Sequence, residues 1–517
     1  MLRFFIMLFC ALNLFAATPK DTIIIAVENE PERVNPLFSE DHDVAIALVF
    51  SGLTRFDENM NLAPDLASSW KVSKDGLVYE FTLRDDVLWH DGTKFSAKDV
   101  EFSINALKDE KLNSPSKVNF DAVKEVKIID DYHLSIALSK PFPAFLDALS
   151  VGILPKHLLE KENLNTTKFN QMPIGTGPYK LKQWKKGQYM ILEANENHHL
   201  AKVKTPKLIL KHIKDPSISA IELKNGSIDV ALVDFALASN FANDKSFKML
   251  IEPSADYRAL MFNLNHEFLK DQNVRLALNY AIDKQAIINS LLHSFGKVAN
   301  HPLEKSWANP KEFASYTYDV KKANDLLAKA GFVKNKNGIL EKDGKEFSFE
   351  MYAMSEDPLR VALVNILQSE FLKLGIKAKA VAKPSGSFDY TKIDSFLVGW
   401  GSPYDPDFHT FRVFASSQDS ALNSSGWNFG HYQNAKVDEA LIKARNSLDI
   451  NERKKHYKEF IDALYKDPAF LFIAYIDYPL VFAKNIQGIK PHILGHHGVG
   501  FTWNAYEWSK ISAKTHF

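Results

Sequence analysis

A chain of 517 residues is longer than one hydrophobic core usually organises, so two or more packed lobes are expected. Hydrophobic residues at 46% and charged residues at 24% describe an ordinary globular protein, neither disordered nor membrane-embedded. Lysine plus arginine and aspartate plus glutamate both number 63, so the net charge gives no reason to expect nucleic acid or an anionic membrane as partner.

Arg3, the nearly continuous apolar run Phe4 to Leu14, and then Ala16-Ala17 before polar Thr18-Pro19-Lys20 have the layout of a secretory signal, too short to anchor as a spanning helix. Cleavage is expected near Ala16, with Leu14 an imperfect match to the small-residue preference two positions earlier. Cys10 lies inside the apolar run behind Phe9, where lipidation wants a small residue, so an unanchored mature protein is expected. That mature chain has no cysteine, which removes disulfides and thiolate ligands from consideration.

Thr22 to Val27 reads as a β-branched strand leading to a break at Asn35-Pro36. Asp41-His42-Asp43 then opens a helix with Ala45, Leu48, Val49 and Leu53 inside, and the two aspartates suit its positive end. His42, at a helix start just after a loop, is either a solvated surface histidine or one that faces a cleft. From Ala67 to Val100, Val72, Val78, Phe81, Leu83, Val87 and Trp89 recur at strand periodicity around the turns Lys74-Asp75-Gly76 and His90-Asp91-Gly92. Ser96 and Asp99 then start a helix that carries Val100, Phe102, Ile104 and Leu107 on its buried side. Further β-like segments follow at Val126–Ile129 and Leu134–Leu138, so residues from about 56 to 173 read as an inserted subdomain.

Gly175-Thr176-Gly177-Pro178 forms a turn; it lacks the lysine-serine ending and helix start of a phosphate loop. His198 and His199 sit in a polar loop with Asn195 and Asn197 and are expected at the surface. Tyr257 to Leu264 reads as a strand able to cross between lobes, followed by one long amphipathic helix from Val274 to Leu291 and another that stops at Gly331. The strand Phe347 to Tyr352 leads through Asp357-Pro358 into a helix from Leu359 to Gly375, with Asp357 as its cap. Arg360 falls in the first turn of that helix, where free N–H groups favour anions, and it is either a carboxylate fork for a ligand or half of a surface ion pair. Phe396 to Asp407 is a strand ending in a glycine and proline loop, whose Trp400 and Tyr404 line a cleft or simply pack in the core. Gly495-His496-His497-Gly498 is too flexible for a core element and reads as a loop.

No G-x-S-x-G, H-E-x-x-H, C-x-x-C or G-x-G-x-x-G after a strand is present, so an enzyme reading finds no nucleophile, metal-hydrolase motif or cofactor fingerprint. Alternating strands and helices with short connections give an α/β fold class.

The stretch Ala67 to Val100, read with Gly52-Leu53 and Pro64-Asp65-Leu66-Ala67, closely resembles the signature of the peptide/nickel family (family 5) of extracytoplasmic solute-binding proteins of ABC importers. Similar stations recur in order at Asn35-Pro36, Pro141-Phe142, Gly175 to Tyr179, Phe262-Asn263, Val274 to Asp283, Lys329 to Phe332 and Trp400 to Pro406. The resemblance implies a two-lobed periplasmic-binding-protein fold of type II with an extra inserted subdomain and a ligand cleft between the lobes. On that reading residues 1–16 are signal peptide, 17–55 with 174–258 and 485–517 form lobe I, 56–173 its inserted subdomain, and 259–484 lobe II. It implies a monomeric, non-catalytic periplasmic protein that delivers solute to an inner-membrane permease.

The Trp-Gly-small-Pro-Tyr-Asp-Pro loop resembles that of nickel-chelate binders, because peptide binders commonly place an acid soon after the tryptophan and here Ser402 and Pro403 intervene. The cargo implied is Ni(II) held by a small chelator such as free histidine, with a dipeptide or oligopeptide as the alternative. Better-known nickel binders use an arginine after the inserted Pro-Phe and a histidine in the loop beyond Pro-Tyr-Asp-Pro; Leu149 to Leu154 has no arginine, and Ala415 to Phe429 no histidine. Imidazole suits nickel and the mature chain offers no thiolate, so His42 and His496, with His497 as the alternative to the latter, are the expected metal ligands. Arg360, Trp400 and Tyr404 are the expected chelator contacts, and no catalytic cofactor is implied.

Overall fold

The computed structural model describes residues 18–39 and 43–511. The expected signal peptide and His42 therefore lie outside the described residues. No helix among the described residues is long and apolar enough to cross a membrane.

The fold is a two-lobed α/β architecture organised on one eleven-stranded sheet. Its middle is a pair of long antiparallel strands, Phe247–Phe262 and Phe470–Ala483, paired from Phe247 opposite Ala483 to Met261 opposite Phe470. On one side of this pair lie Val230–Leu232, Thr22–Val27, Lys207–His212, Tyr189–Ala194 and Tyr179–Lys185; on the other lie Ser395–Trp400, Ser348–Met354 and Lys377–Lys383. Two bodies of core follow. One gathers Ile23, Leu48, Phe81, Trp89 and Leu208 with Leu480 and Trp508, and the other, in two patches, gathers apolar residues between Tyr257 and Ile476. We call these lobe I and lobe II; the two long strands run through both.

The pairing of the long strands slips between Pro253 and Tyr257. Pro253 has no N–H to give the ladder, and Ser254 bridges instead to Leu494 of the C-terminal segment. Asp256 lies in this interruption, fully buried.

The hairpin read from Ala67 to Val100 forms as strands Ala67–Val72 and Val78–Leu83, which join His133–Leu138 and Val123–Asp130 in a separate four-stranded sheet. The helix after it, Ala97–Lys108, buries Val100, Ile104 and Leu107, while Phe102 is half-buried. Gly175 and Gly177 are required for close approach: an added Cβ would lie 1.9 Å from the Val49 carbonyl oxygen at the first and 2.6 Å from that of Leu48 at the second. The loop therefore seats the end of the helix Val44–Val49.

Two sequence expectations need correction. The single helix from Val274 to Leu291 is two, Gln272–Tyr280 and Lys284–Leu291, because the Asp283 side chain accepts from the Ala286 N–H and caps a new start. His198 and His199 are buried rather than at the surface: the His199 side chain is 1% exposed and its Nε2 lies 2.5 Å from Asp65.

Candidate functional site

Where the strand interruption meets the start of the helix Pro358–Leu374 and the loop at His496, a cluster of charged groups is buried. The helix begins as its sequence requires: Asp357 accepts from the Arg360 N–H at 3.0 Å, and Pro358 takes the first turn. The same cap turns Arg360 inward, where Nε lies 2.9 Å from Asp357 Oδ2 in an ion pair and Nη2 lies 3.1 Å from His496 Nε2. Arg360 is 4% exposed. It is not the surface ion pair that sequence left open.

His496 is 8% exposed, and its Nδ1 lies 2.9 Å from Asp256 Oδ1. Asp256 also pairs with Arg258 and accepts from the Tyr478 hydroxyl at 2.6 Å and the His497 N–H at 3.1 Å. Gly399 makes room for this packing; a Cβ there would sit 2.5 Å from Arg258 Nη1 and 2.8 Å from His496 Cε1. His497 adopts φ 55°, in the left-handed region, and its ring lies against that of His496 with centroids 3.9 Å apart. Its Nδ1 is 3.7 Å from Glu28.

Electrostatics in the cluster favour a cation at its mouth. Glu28 stands half exposed at the edge of the cluster, and partial desolvation, with Asp357 adding repulsion, raises its carboxyl above the usual range. Against the cost of burial, Arg258 and Arg360 hold Asp357 below its ordinary value. Burial, with the neighbouring His496 and Arg258, keeps the His497 ring neutral by pushing its pKa well down. Three acids thus face two guanidiniums, with the neutral His497 imidazole beside them, and imidazole is a donor of the kind divalent nickel takes. Among the described residues no group of three or more His, Asp or Glu side chains is placed to hold a metal ion by itself.

Beyond the loop, a cavity of about 310 Å³ opens between the lobes. Val499 and Gly500 of the same loop line it, as do Tyr404, His409, Arg412 and Trp427 from lobe II, with Asp147. Tyr404 thus reaches the cavity, its ring 4.5 Å from that of Phe56. Trp400 is half-buried behind this wall, stacked at 6.1 Å on Trp427 and packed on Phe429 and Phe470. Arg360 and His496 are brought together; Trp400 is set apart from them in an aromatic stack.

Sequence reading missed Glu28, Asp256 and Arg258 altogether. The signal for the last two was present: residues two apart on a strand share a face, and an acid and an arginine on one face of an otherwise apolar crossing strand make a buried ion pair.

The model of bacterial extracellular solute-binding proteins, family 5, matches residues 61–421. This chain belongs to that family. Family 5 proteins are extracytoplasmic binding proteins of ABC importers rather than enzymes. Among solved structures, this family 5 chain resembles NikZ from Campylobacter jejuni in complex with Ni(L-His), at 67% identity and TM-score 0.91 over 95% of this chain and 100% of that one. It also resembles the oligopeptide-binding AppA from Bacillus subtilis in complex with a nonapeptide, at 28% identity and TM-score 0.84 over 95% and 99%. The nickel-binding periplasmic protein of Escherichia coli is 26% identical over 94% of this chain and 95% of its own length.

Proposed function

We propose that this protein captures nickel as a complex with a small amino- and carboxylate-bearing chelator, such as free histidine, and hands it to a membrane permease. The observation that carries the reading is the 3.1 Å contact between His496 Nε2 and the Arg360 guanidinium, which puts a metal-ligating lone pair beside a carboxylate-binding fork. The likeness to NikZ, whose structure holds Ni(L-His), supports it. His42 and His496 donate imidazole nitrogens to one Ni(II), with His497 as the alternative donor from the same loop. Two imidazoles leave an octahedral or square-planar ion short of ligands, and the chelator fills the rest. Arg360 takes the chelator carboxylate, and Tyr404 forms part of the cavity wall beyond it, with Trp400 behind.

The lobes assigned from sequence, 17–55 with 174–258 and 485–517 against 259–484, then close on the cargo by bending at the long strands. The mature protein, released near Ala16, works as a periplasmic monomer.

The peptide reading retains one specific support, the cavity of about 310 Å³ beside the cluster, which is room for more than a metal ion. Native mass spectrometry of protein taken from its own periplasm separates the two: nickel plus one small chelator is expected, and a heterogeneous peptide series would overturn the nickel reading. Titration of His42→Ala and His496→Ala with nickel, with and without L-histidine, tests the ligand set. Both variants binding the nickel-histidine mixture as tightly as wild type would remove these histidines from the site.

A further inference from the structure

The two ring nitrogens of His496 are not equivalent, and the groups around them decide which one carries the proton. Arg360 has only donors, so the Nε2 that lies 3.1 Å from its Nη2 must be the acceptor. Nδ1, 2.9 Å from Asp256 Oδ1, is then the nitrogen that carries the proton, and it donates there. Asp256 is itself held from four sides: Arg258 and His496 at Oδ1, and the Tyr478 hydroxyl and the His497 N–H at Oδ2. A fully buried carboxylate with that many donors has one orientation. It also sits in the interrupted stretch of the crossing strand, where the backbone between Pro253 and Tyr257 leaves the ladder.

We propose that Asp256 is a positioning residue for cargo: it fixes His496 in the Nδ1–H tautomer and in one ring orientation, so that Nε2 is the lone pair presented to a metal. Arg360 is the placeholder. Its Nη2–H occupies that lone pair in the unliganded cluster, and on loading it exchanges the imidazole for a carboxylate of the chelator while the metal takes Nε2. A single exchange thus readies both halves of a metal–carboxylate complex. The proposal rests on the nickel-chelate reading, and it adds a residue that touches neither metal nor chelator. A carboxylate behind a ligating histidine raises the ring's basicity and sets its direction.

The test begins without metal. In protein labelled with [15N]histidine, long-range 15N–1H correlation spectra, with His496→Gln to assign the signal, should show His496 protonated at Nδ1 and bare at Nε2. An Nε2–H tautomer in wild type overturns the proposal. Nickel with L-histidine should then perturb the Nε2 signal, and Asp256→Asn should weaken that binding about 10- to 100-fold, with Asp256→Glu restoring part of it. Because Asp256 is buried against Arg258, the unliganded variants are first compared with wild type by circular dichroism; if none folds, the wild-type tautomer and the shift of Nε2 on loading decide alone. Unchanged affinity in folded Asp256→Asn sinks the proposal while leaving the cargo reading intact. Absence of any nickel binding by wild type sinks the cargo reading, and the proposal with it.

Discussion

Two clusters of buried charge link the lobes, and they are built on opposite plans. At the His496 cluster, Arg360 is tied to the cap of its own helix and to the His496 ring. At the other, Arg453 grips Asp405 through two bonds of 2.7 Å and Arg445 holds Asp407 at 2.8 Å, all within lobe II. The acid that meets them, Asp147, receives the Asp405 N–H at 3.0 Å. In the first cluster the arginine's close acid belongs to its own helix cap; in the second the arginines are committed to the acids of the glycine and proline loop, and its Asp-Pro-Asp serves as a brace. An arginine near a cleft is therefore informative only once its acids are counted.

The largest effect that follows is on folding. Arg453→Ala leaves Asp405 buried without its cation, and breaking such a pair costs about 3–5 kcal/mol. Urea unfolding at neutral pH should show a clear fall in midpoint, whereas an unchanged midpoint would mean that the brace bears no weight. Arg360→Ala should divide its effects the other way. Binding of the nickel-histidine complex should weaken by roughly 1.5–3 kcal/mol, the scale of a hydrogen bond to a charged group, and because Arg258 stays 3.8 Å from Asp357 the melting temperature of the unliganded protein should fall less than in Arg453→Ala. Titration calorimetry reads the first and differential scanning the second. Equal affinity in variant and wild type would make the two arginines alike, and the contrast between the clusters would fail.

How much of this was legible depended on sequence distance. The hairpin at Ala67–Leu83, the helix after Ser96 and the cap at Asp357 rest on neighbours in the chain, and each formed where its residues placed it. His199 was misplaced because the partner that makes its burial tolerable, Asp65, is 134 residues away. The roles of Asp405 and Asp407 were hidden for the same reason, since Arg453 and Arg445 follow them by 48 and 38 residues. Arg360 was legible as a functional candidate because a helix start announces itself locally, but its contact with His496 spans 136 residues and no local pattern encodes it. The helix break at Asp283 was a local signal passed over: the apolar period continues across it while the capping aspartate interrupts.

The last effect concerns Asp147, and it is a matter of pH. Burial first, and then the charge of Asp405, lift its carboxyl from 3.8 to about 8, with the Asp405 N–H and Arg453 opposing. A group raised on folding contributes stability that is complete below its unfolded value, near 3.8, and is lost as pH rises through about 8. Asp147→Asn removes the titration but keeps an oxygen to accept the Asp405 N–H, so no bond of the brace is broken. The melting temperature of the variant minus that of wild type should therefore climb between pH 5 and pH 9 in favour of asparagine. Titrating groups that do not interact with Asp147 are common to both proteins and cancel in the difference. A gap that stays flat across that range would mean that Asp147 carries its charge in the folded protein at no cost; the second cluster would then tolerate an extra anion, and its arginines would be less committed than their bonds imply.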